Sequence, residues 1–302
     1  MTAGRAMTAR AQMTTGTELT AGAATTDPGF DRAGVVGLGL IGTSCALAIR
    51  RRGLARRVIG VDPDPGAIAT ALARQAIDEG GPGYAMLEGA ALVIVATPPN
   101  AVVDAVQAAA RAAGRRAILL DVASVKGGIV RALEATLPEG ARYVGGHPMA
   151  GTEQQGASAA DDALLAGRPF LIAPTARSDH DAVDAVRALV RAMGMRPLLI
   201  DADIHDAVMA QVSHVPYLLA VAAVNAAGEE AVGLGGPAFD GFRRIAASPP
   251  ALWEEICSQN RAAILRALGW VRGELARMER ALTEGDLLEI LAAARRRAGG
   301  GD

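Results

Sequence analysis

The sequence predicts an α/β domain built on a parallel sheet, followed by an all-helical domain. Three observations carry that expectation. Up to about residue 200, short apolar runs alternate with segments of helical period. A glycine-rich turn joins the first apolar run to the first helical segment. From about residue 203 to residue 296 the strand signal is almost gone, and apolar residues recur at helical spacing. With 302 residues the chain has room for about two domains. Its 51% hydrophobic and 21% charged residues are ordinary globular composition.

The elements follow in order. Residues 1–30, rich in Thr, Ala and Gly, read as a disordered tail. Gly34 to Gly37 is a short buried strand, and a helix runs from about Ile41 to Arg52. Arg57 to Val61 is a strand, Ala67 to Gln75 a helix, and Ala91 to Ala96 a strand stopped by Pro98 and Pro99. Ala117 to Asp121, Arg142 to Gly145, Phe170 to Ala173 and Arg196 to Ile200 are further strands. Helices at Gly128 to Leu137 and at 181–193 lie between them. Continuously apolar strands separated by helices imply a sheet covered on both faces. A nucleotide domain at 31–176, a joint at 177–202 that completes the sheet, and a helical domain at 203–298 follow from this pattern. The Ala- and Leu-rich helix beginning near Ala207 is apolar on all sides, which a second subunit wrapped around it would explain.

Charge and cysteine usage exclude several classes. Thirty basic and 32 acidic residues give a net charge of -2, so no broad basic face for nucleic acid is expected. No uninterrupted apolar run reaches the roughly 20 residues of a membrane span. The opening residues lack the apolar centre of a signal peptide. Cys45 and Cys257 form no CxxC motif and read as unpaired thiols of a reducing, cytoplasmic compartment. Lys126 is the only lysine in a chain whose other basic residues are arginines, and it could be a cofactor-side or a structural residue.

Residues 35–42 read VVGLGLIG, a GxGxxG turn of Gly37, Leu38, Gly39, Leu40, Ile41 and Gly42. The first glycine allows the tight turn, the second lets backbone approach a pyrophosphate, and the third lets helix and sheet pack closely. The helix N-terminus then presents its N–H groups to the phosphates. Asp62 ends the next strand 20 positions after Gly42, where a carboxylate accepts the ribose hydroxyls of NAD and repels the 2'-phosphate of NADP. Arg74 lies too far along to meet such a phosphate. Thr97 and Pro98 close another strand at the carboxyl edge, where a stiff loop can meet ribose or pyrophosphate.

The chemistry-bearing residues cluster beyond this turn. Ser124 and Lys126 follow a strand end in DVASVK, and His147 follows the next one in GGHPMAGTE. A histidine at the carboxyl edge of the sheet can take a proton at neutral pH. The helical domain supplies His205 and His214. Nine residues apart, they point about 180° from one another on a straight helix and do not suit one metal. No metal is expected. Arg243 and Arg244 sit between apolar helices, and one arginine in a cleft suits a carboxylate.

Taken in order, GLGLIGTS, ATPP, DVASVK, GGHPMAGTE, DADIHD, SHVP and RIAASPPALW resemble the prephenate/arogenate dehydrogenase family (TyrA type), from about Gly34 to Met278. The resemblance implies an α/β Rossmann-type nucleotide domain followed by an all-helical dimerisation domain, hence a homodimer. It implies NAD as cofactor and oxidative decarboxylation of prephenate to 4-hydroxyphenylpyruvate or of arogenate to tyrosine. His147 then matches the residue that accepts the proton of the ring hydroxyl, and Ser124 the serine that orients the same centre. Arg244 matches the arginine that grips a substrate carboxylate. His214, Glu153, Tyr217 and Trp253 fall at pocket positions. His205 matches a histidine near the domain junction.

Two departures leave the substrate open. Tyr217 stands where many members carry histidine, and Gly241-Phe-Arg-Arg244 stands where some carry an aspartate. Prephenate is the first expectation. Arogenate, whose ammonium Glu153 could meet, and a 4-amino analogue of prephenate are the alternatives. A β-hydroxyacid dehydrogenase would use a lysine of the second domain, and no lysine follows Lys126. A non-catalytic NAD sensor would leave His147, Ser124 and Arg244 without a task. The chain length suggests a monofunctional enzyme with no appended regulatory domain.

Overall fold

The computed structural model describes residues 29–299. The tail expected over residues 1–30 lies outside the described residues, except that Phe30 already pairs with Ala55. The elements of the first part are β1 (Phe30–Val36), α1 (Leu40–Arg51), β2 (Ala55–Val61), α2 (Pro65–Ala73), β3 (Glu79–Gly81), β4 (Leu92–Val95), α3 (Val102–Ala113), β5 (Ile118–Asp121), α4 (Gly127–Thr136), β6 (Arg142–Pro148), β7 (Pro169–Ala173), α5 (His180–Ala192) and β8 (Arg196–Leu199). They form one eight-stranded sheet in the order β3-β2-β1-β4-β5-β6-β7-β8. The strand order reverses between β1 and β4, and the crevice at the carboxyl ends of such strands is where ligands bind.

Two features differ from the sequence expectation of a parallel sheet. Strand β3 is three residues, EGG, too short and too polar to register as an apolar run. Strand β7 runs antiparallel to β6, whereas β8 returns parallel to β7. The reason lies in the connections. Residues 149–168 carry only short 3-10 turns and no crossover helix, while α5 supplies the crossover before β8.

Both faces of the sheet are covered, as continuous apolar strands require. Leu92 and Ile94 share one buried cluster with Cys45 and Leu47 of α1 and with Val186 and Leu189 of α5. Val93 and Val95 share the other with Val106 of α3 and Ile129 and Leu133 of α4. Helix starts follow local chemistry. Asp64 accepts the N–H of Gly66 at 2.8 Å ahead of α2, with Pro65 in the first turn, and Asp179 accepts that of Asp181 at 2.9 Å ahead of α5.

The remaining elements are α6 (Ala202–Met209), a π-helical turn (Ala210–His214), α7 (Val215–Ala226), α8 (Glu229–Gly233), α9 (Pro237–Ala246), α10 (Pro250–Gln259), α11 (Arg261–Glu284) and α12 (Leu287–Arg297). Gly285, at φ 90°, ends α11 in the left-handed region. Packing divides the chain into two compact units. Among the described residues, 29–206 with Ala247–Gln259 form the first, and Ala207–Ala246 with 260–299 form the second. Helix α10 packs with the first unit, where Ile256 and Trp253 join the α3–α4 cluster.

The second unit buries little apolar volume by itself. Tyr217, Ala220, Ile264 and Ala267 are buried, while Leu234, Leu265, Trp270, Leu282 and Leu288 are exposed. The helical stretch Ala202–Ala226 contains an 18-residue window of mean hydropathy 1.6, long and apolar enough by composition to cross a membrane. It also carries Asp203, His205, Asp206 and His214, side chains that are costly in hydrocarbon.

Candidate active site

The turn after β1 is shaped for a dinucleotide. Gly37 has φ +89°, and a Cβ there would stand 2.6 Å from the Ala96 carbonyl oxygen. A Cβ at Gly42 would stand 1.9 Å from the Gly37 oxygen, so α1 can close on the turn only with glycine at 42. At Gly39 a Cβ would meet nothing within 4 Å, which leaves open space over the backbone. Gly39 also caps α1 without a side-chain hydrogen bond, so the first-turn N–H groups at Leu40 and Ile41 remain for an anion.

Asp62 lies at the tip of β2, where its Oδ2 accepts the Leu38 N–H at 2.7 Å and its Oδ1 the Asp64 N–H at 2.8 Å. The carboxylate therefore fixes the glycine turn and retains lone pairs for ribose hydroxyls. The Thr97 hydroxyl is buried with no hydrogen-bond partner at the end of β4, next to the exposed Pro98. A buried, unsatisfied hydroxyl at this edge fits a ligand donor or acceptor. Arg74 points elsewhere, donating to the carbonyls of Ser158 and Ala160 at 2.9 and 2.5 Å. These residues fit a dinucleotide.

His147 occupies the carboxyl end of β6 and is half-buried. Its Nδ1 lies 2.8 Å from Nε2 of His205, with the rings edge to face at 60°. His205 is fully buried on α6, and its Nδ1 lies 2.8 Å from Oδ1 of Asp206. Asp206 in turn accepts the backbone N–H groups of Lys126 and Gly127, each at 2.8 Å. Its carboxylate thus sits on the N-terminus of α4, where the helix field favours an anion. Burial pushes the Asp206 carboxyl up, but the hydrogen bonds from His205, Lys126 and Gly127 outweigh it and hold the group below the usual carboxylate range. Burial pushes His205 below the usual histidine range, against the opposing pull of Asp206 and with help from the Lys126 charge.

The helix that receives Asp206 is itself anchored by a buried ion pair. The Lys126 ammonium pairs with Asp121, and both side chains are fully buried. Asp121 also accepts the Ala123 N–H at 2.9 Å and the Tyr143 hydroxyl at 2.7 Å. Burial, then the Asp121 charge, raises the Tyr143 hydroxyl well above its ordinary range, so it remains a donor. Lys126 is thus a structural residue turned into the core. Ser124 is half-buried on the loop between the two ends of this pair.

The other expected residues distribute as follows. His214, on the π-helical turn, is buried in the second unit with Nδ1 3.1 Å from the Asn260 side-chain nitrogen. Tyr217 is buried on α7, and Arg244 stands on the exposed last turn of α9. Glu153 lies on the exposed loop after β6, and Trp253 is partly buried on the α3–α4 cluster. Sequence reasoning missed Asp206, Asp121, Tyr143 and Asn260. Only Asp206 had a local signal, its place beside His205. Among the described residues no group of three His, Cys, Asp or Glu side chains could hold a metal ion.

Comparison with known proteins supplies the family. The nucleotide-binding domain model of prephenate dehydrogenase matches residues 45–199, and the dimerization domain model matches residues 201–294. Prephenate dehydrogenase of Bacillus subtilis (strain 168) is 31% identical over 249 residues, 79% of this chain and 67% of the relative. The structure of A. aeolicus prephenate dehydrogenase in complex with hydroxyphenyl propionate and NAD+ superposes with a TM-score of 0.83 at 28% identity, covering 90% of this chain and 98% of that one. Arogenate dehydrogenase of Synechocystis gives 0.74 at 29% identity, covering 89% and 98%.

Proposed function

The chain belongs to the prephenate dehydrogenase family of NAD-dependent oxidoreductases, and from that premise we propose that it oxidatively decarboxylates prephenate to 4-hydroxyphenylpyruvate. The observation that carries this reading is the Asp206–His205–His147 chain of hydrogen bonds, which ends on the same carboxyl edge of the sheet as the glycine turn.

Gly37, Gly39, Gly42, the first turn of α1, Asp62 and Thr97 would hold NAD, with the Asp62 carboxylate disfavouring a 2'-phosphate. When bound, the nicotinamide accepts a hydride. His147 takes the proton of the ring hydroxyl, which lets the C4–H bond give up its hydride as the C4 oxygen becomes a carbonyl. The bond from C1 to its carboxylate then breaks, its electron pair makes the ring aromatic, and carbon dioxide leaves. His147 returns the proton to the phenolate oxygen, so no net proton is consumed. Ser124, on the adjacent loop, orients the same hydroxyl. Arg244 grips a substrate carboxylate, and His214, Tyr217, Glu153 and Trp253 shape the pocket. A homodimer formed through the helical unit supplies the cover for Leu265, Trp270, Leu282 and Leu288. The unpaired thiols of Cys45 and Cys257 suit a cytoplasmic setting.

A second reading, arogenate as substrate, is favoured by the Synechocystis neighbour and by the acidic Glu153. One experiment tests both. NADH or NADPH formation is followed with prephenate and with arogenate, each with NAD and NADP, for the wild type, His147→Asn and Arg244→Gln. Prephenate with NAD is expected to turn over fastest. His147→Asn is expected to lower kcat by about 100-fold or more, and a rate within about threefold of wild type would end the assignment. Arg244→Gln is expected to raise KM with little change in kcat, and an unchanged KM would remove Arg244 from the substrate site.

A further inference from the structure

We propose that Asp206 and His205 are positioning residues that fix which nitrogen of His147 carries its proton, placing the lone pair on Nε2. The use of that lone pair rests on the reading of His147 as proton acceptor, whereas the tautomer itself does not.

The argument runs from the fixed end. Backbone N–H groups can only donate, so the two from Lys126 and Gly127 make Asp206 an acceptor at both oxygens. Two donors on a helix terminus also hold the carboxylate in one orientation. His205 Nδ1, 2.8 Å from Oδ1, must therefore supply the proton of that contact. A neutral imidazole protonated at Nδ1 has its lone pair at Nε2. The 2.8 Å contact between this Nε2 and His147 Nδ1 needs one proton, and only His147 can provide it. His147 is thereby an Nδ1–H imidazole with a basic Nε2.

The neutral state of His205 is supported by its surroundings. The charged groups facing it are Asp206, Lys126 and Asp121, and the last two neutralise one another in a buried pair. His205 has no exposed surface, so a second proton would have to be carried without water. An imidazole without such a partner divides between both tautomers, and only one presents a base at Nε2. When His147 gains a proton there, its Nδ1–H remains bonded to His205, and the Asp206 anion two links away favours the resulting cation. The arrangement extends the histidine–carboxylate pairing of acyl-transfer enzymes by one ring.

The chain has only four histidines, which makes the tautomer directly observable. Protein labelled with 15N-histidine is compared by NMR as wild type, His205→Leu and His205→Gln. The exposed His180 at the head of α5 serves as the solvent reference. In the unliganded wild type, His147 is expected to show a protonated Nδ1 and an unprotonated Nε2. A protonated Nε2 would overturn the proposal whatever the activity. His205→Leu removes the acceptor and is expected to mix the His147 tautomers and lower kcat about 10- to 100-fold, with KM within about threefold of wild type. His205→Gln places an amide oxygen where Nε2 stood and is expected to restore the Nδ1–H form and most of kcat. A His147 signal unmoved in His205→Leu, or equal losses in both variants, would overturn the proposal. An Nδ1–H signal in a wild type that oxidises neither prephenate nor arogenate would support the relay and end the dehydrogenase reading.

Discussion

Lys126 is the residue whose chemistry could be noticed in the sequence but not located. A single lysine among arginines is conspicuous by count. The spacing in DVASVK gives a loop after a strand, and a loop does not say whether its last side chain turns to the crevice or to the core. In the fold it turns inward and meets Asp121 under the Tyr143 hydroxyl. The compact ammonium fits that space, and a guanidinium is larger and needs five acceptors. Lys126→Met should leave the Asp121 carboxylate buried without its counter-charge and cost about 3–5 kcal/mol. Lys126→Arg should also destabilise, by about 1–3 kcal/mol, through overpacking. Urea midpoints measure both, and an unchanged midpoint in Lys126→Arg would show slack around the pair. His205 and Asp206 illustrate the same limit. Their identity is plain in DADIHD, but the imidazole that His205 meets is 58 positions away, and no local spacing predicts it.

At the scale of elements, the turn from β1 to α1 was legible because each glycine has a separate steric reason to be there. The same reasons make separable predictions. Gly39→Ala adds a methyl group where the protein has nothing within 4 Å, so stability should stay within about 0.5 kcal/mol while NAD affinity falls. Gly42→Ala puts a methyl group 1.9 Å from the Gly37 oxygen, so it should lose both stability and affinity. Calorimetric titration with NAD beside thermal melts distinguishes the two, and full affinity in Gly39→Ala would mean that no phosphate approaches that backbone. Other elements were not legible, for physical reasons. Strand β3 has no apolar pattern because it lies at the sheet edge. The reversal at β7 depends on what residues 149–168 fail to form, and short 3-10 turns leave little periodicity.

For the whole molecule, the sequence period changes near residue 203, and one edge of the first packing unit lies at Asp206. The partners of Ile256 and Trp253 in α10 lie more than a hundred positions away, so no local spacing gives them. The buried groups also couple stability to pH. His205 and Asp206 are both held below their ordinary ranges in the folded protein. The unfolded chain therefore binds more protons at acidic pH, and the stability from these groups is full above the ordinary histidine pKa of about 6.5 and declines as pH falls. Urea midpoints should fall from about pH 6.5 downward, and His205→Leu should flatten the upper part of that decline. A wild-type midpoint that is level from pH 7 to 5 would contradict it. The π-helical turn Ala210–His214 has a different kind of consequence, one for the gene. Such a turn holds one residue more than the α-helix would. Loss of a single codon there would be absorbed as an unbroken α-helix that keeps the side chains before and after the turn in register, whereas loss of a codon elsewhere in the helix would swing every later side chain by about 100°. After a loss within the turn, Tyr217 and Ala220 would keep the positions that bury them, so a one-residue in-frame deletion should be far better tolerated there than in the α-helical turns on either side.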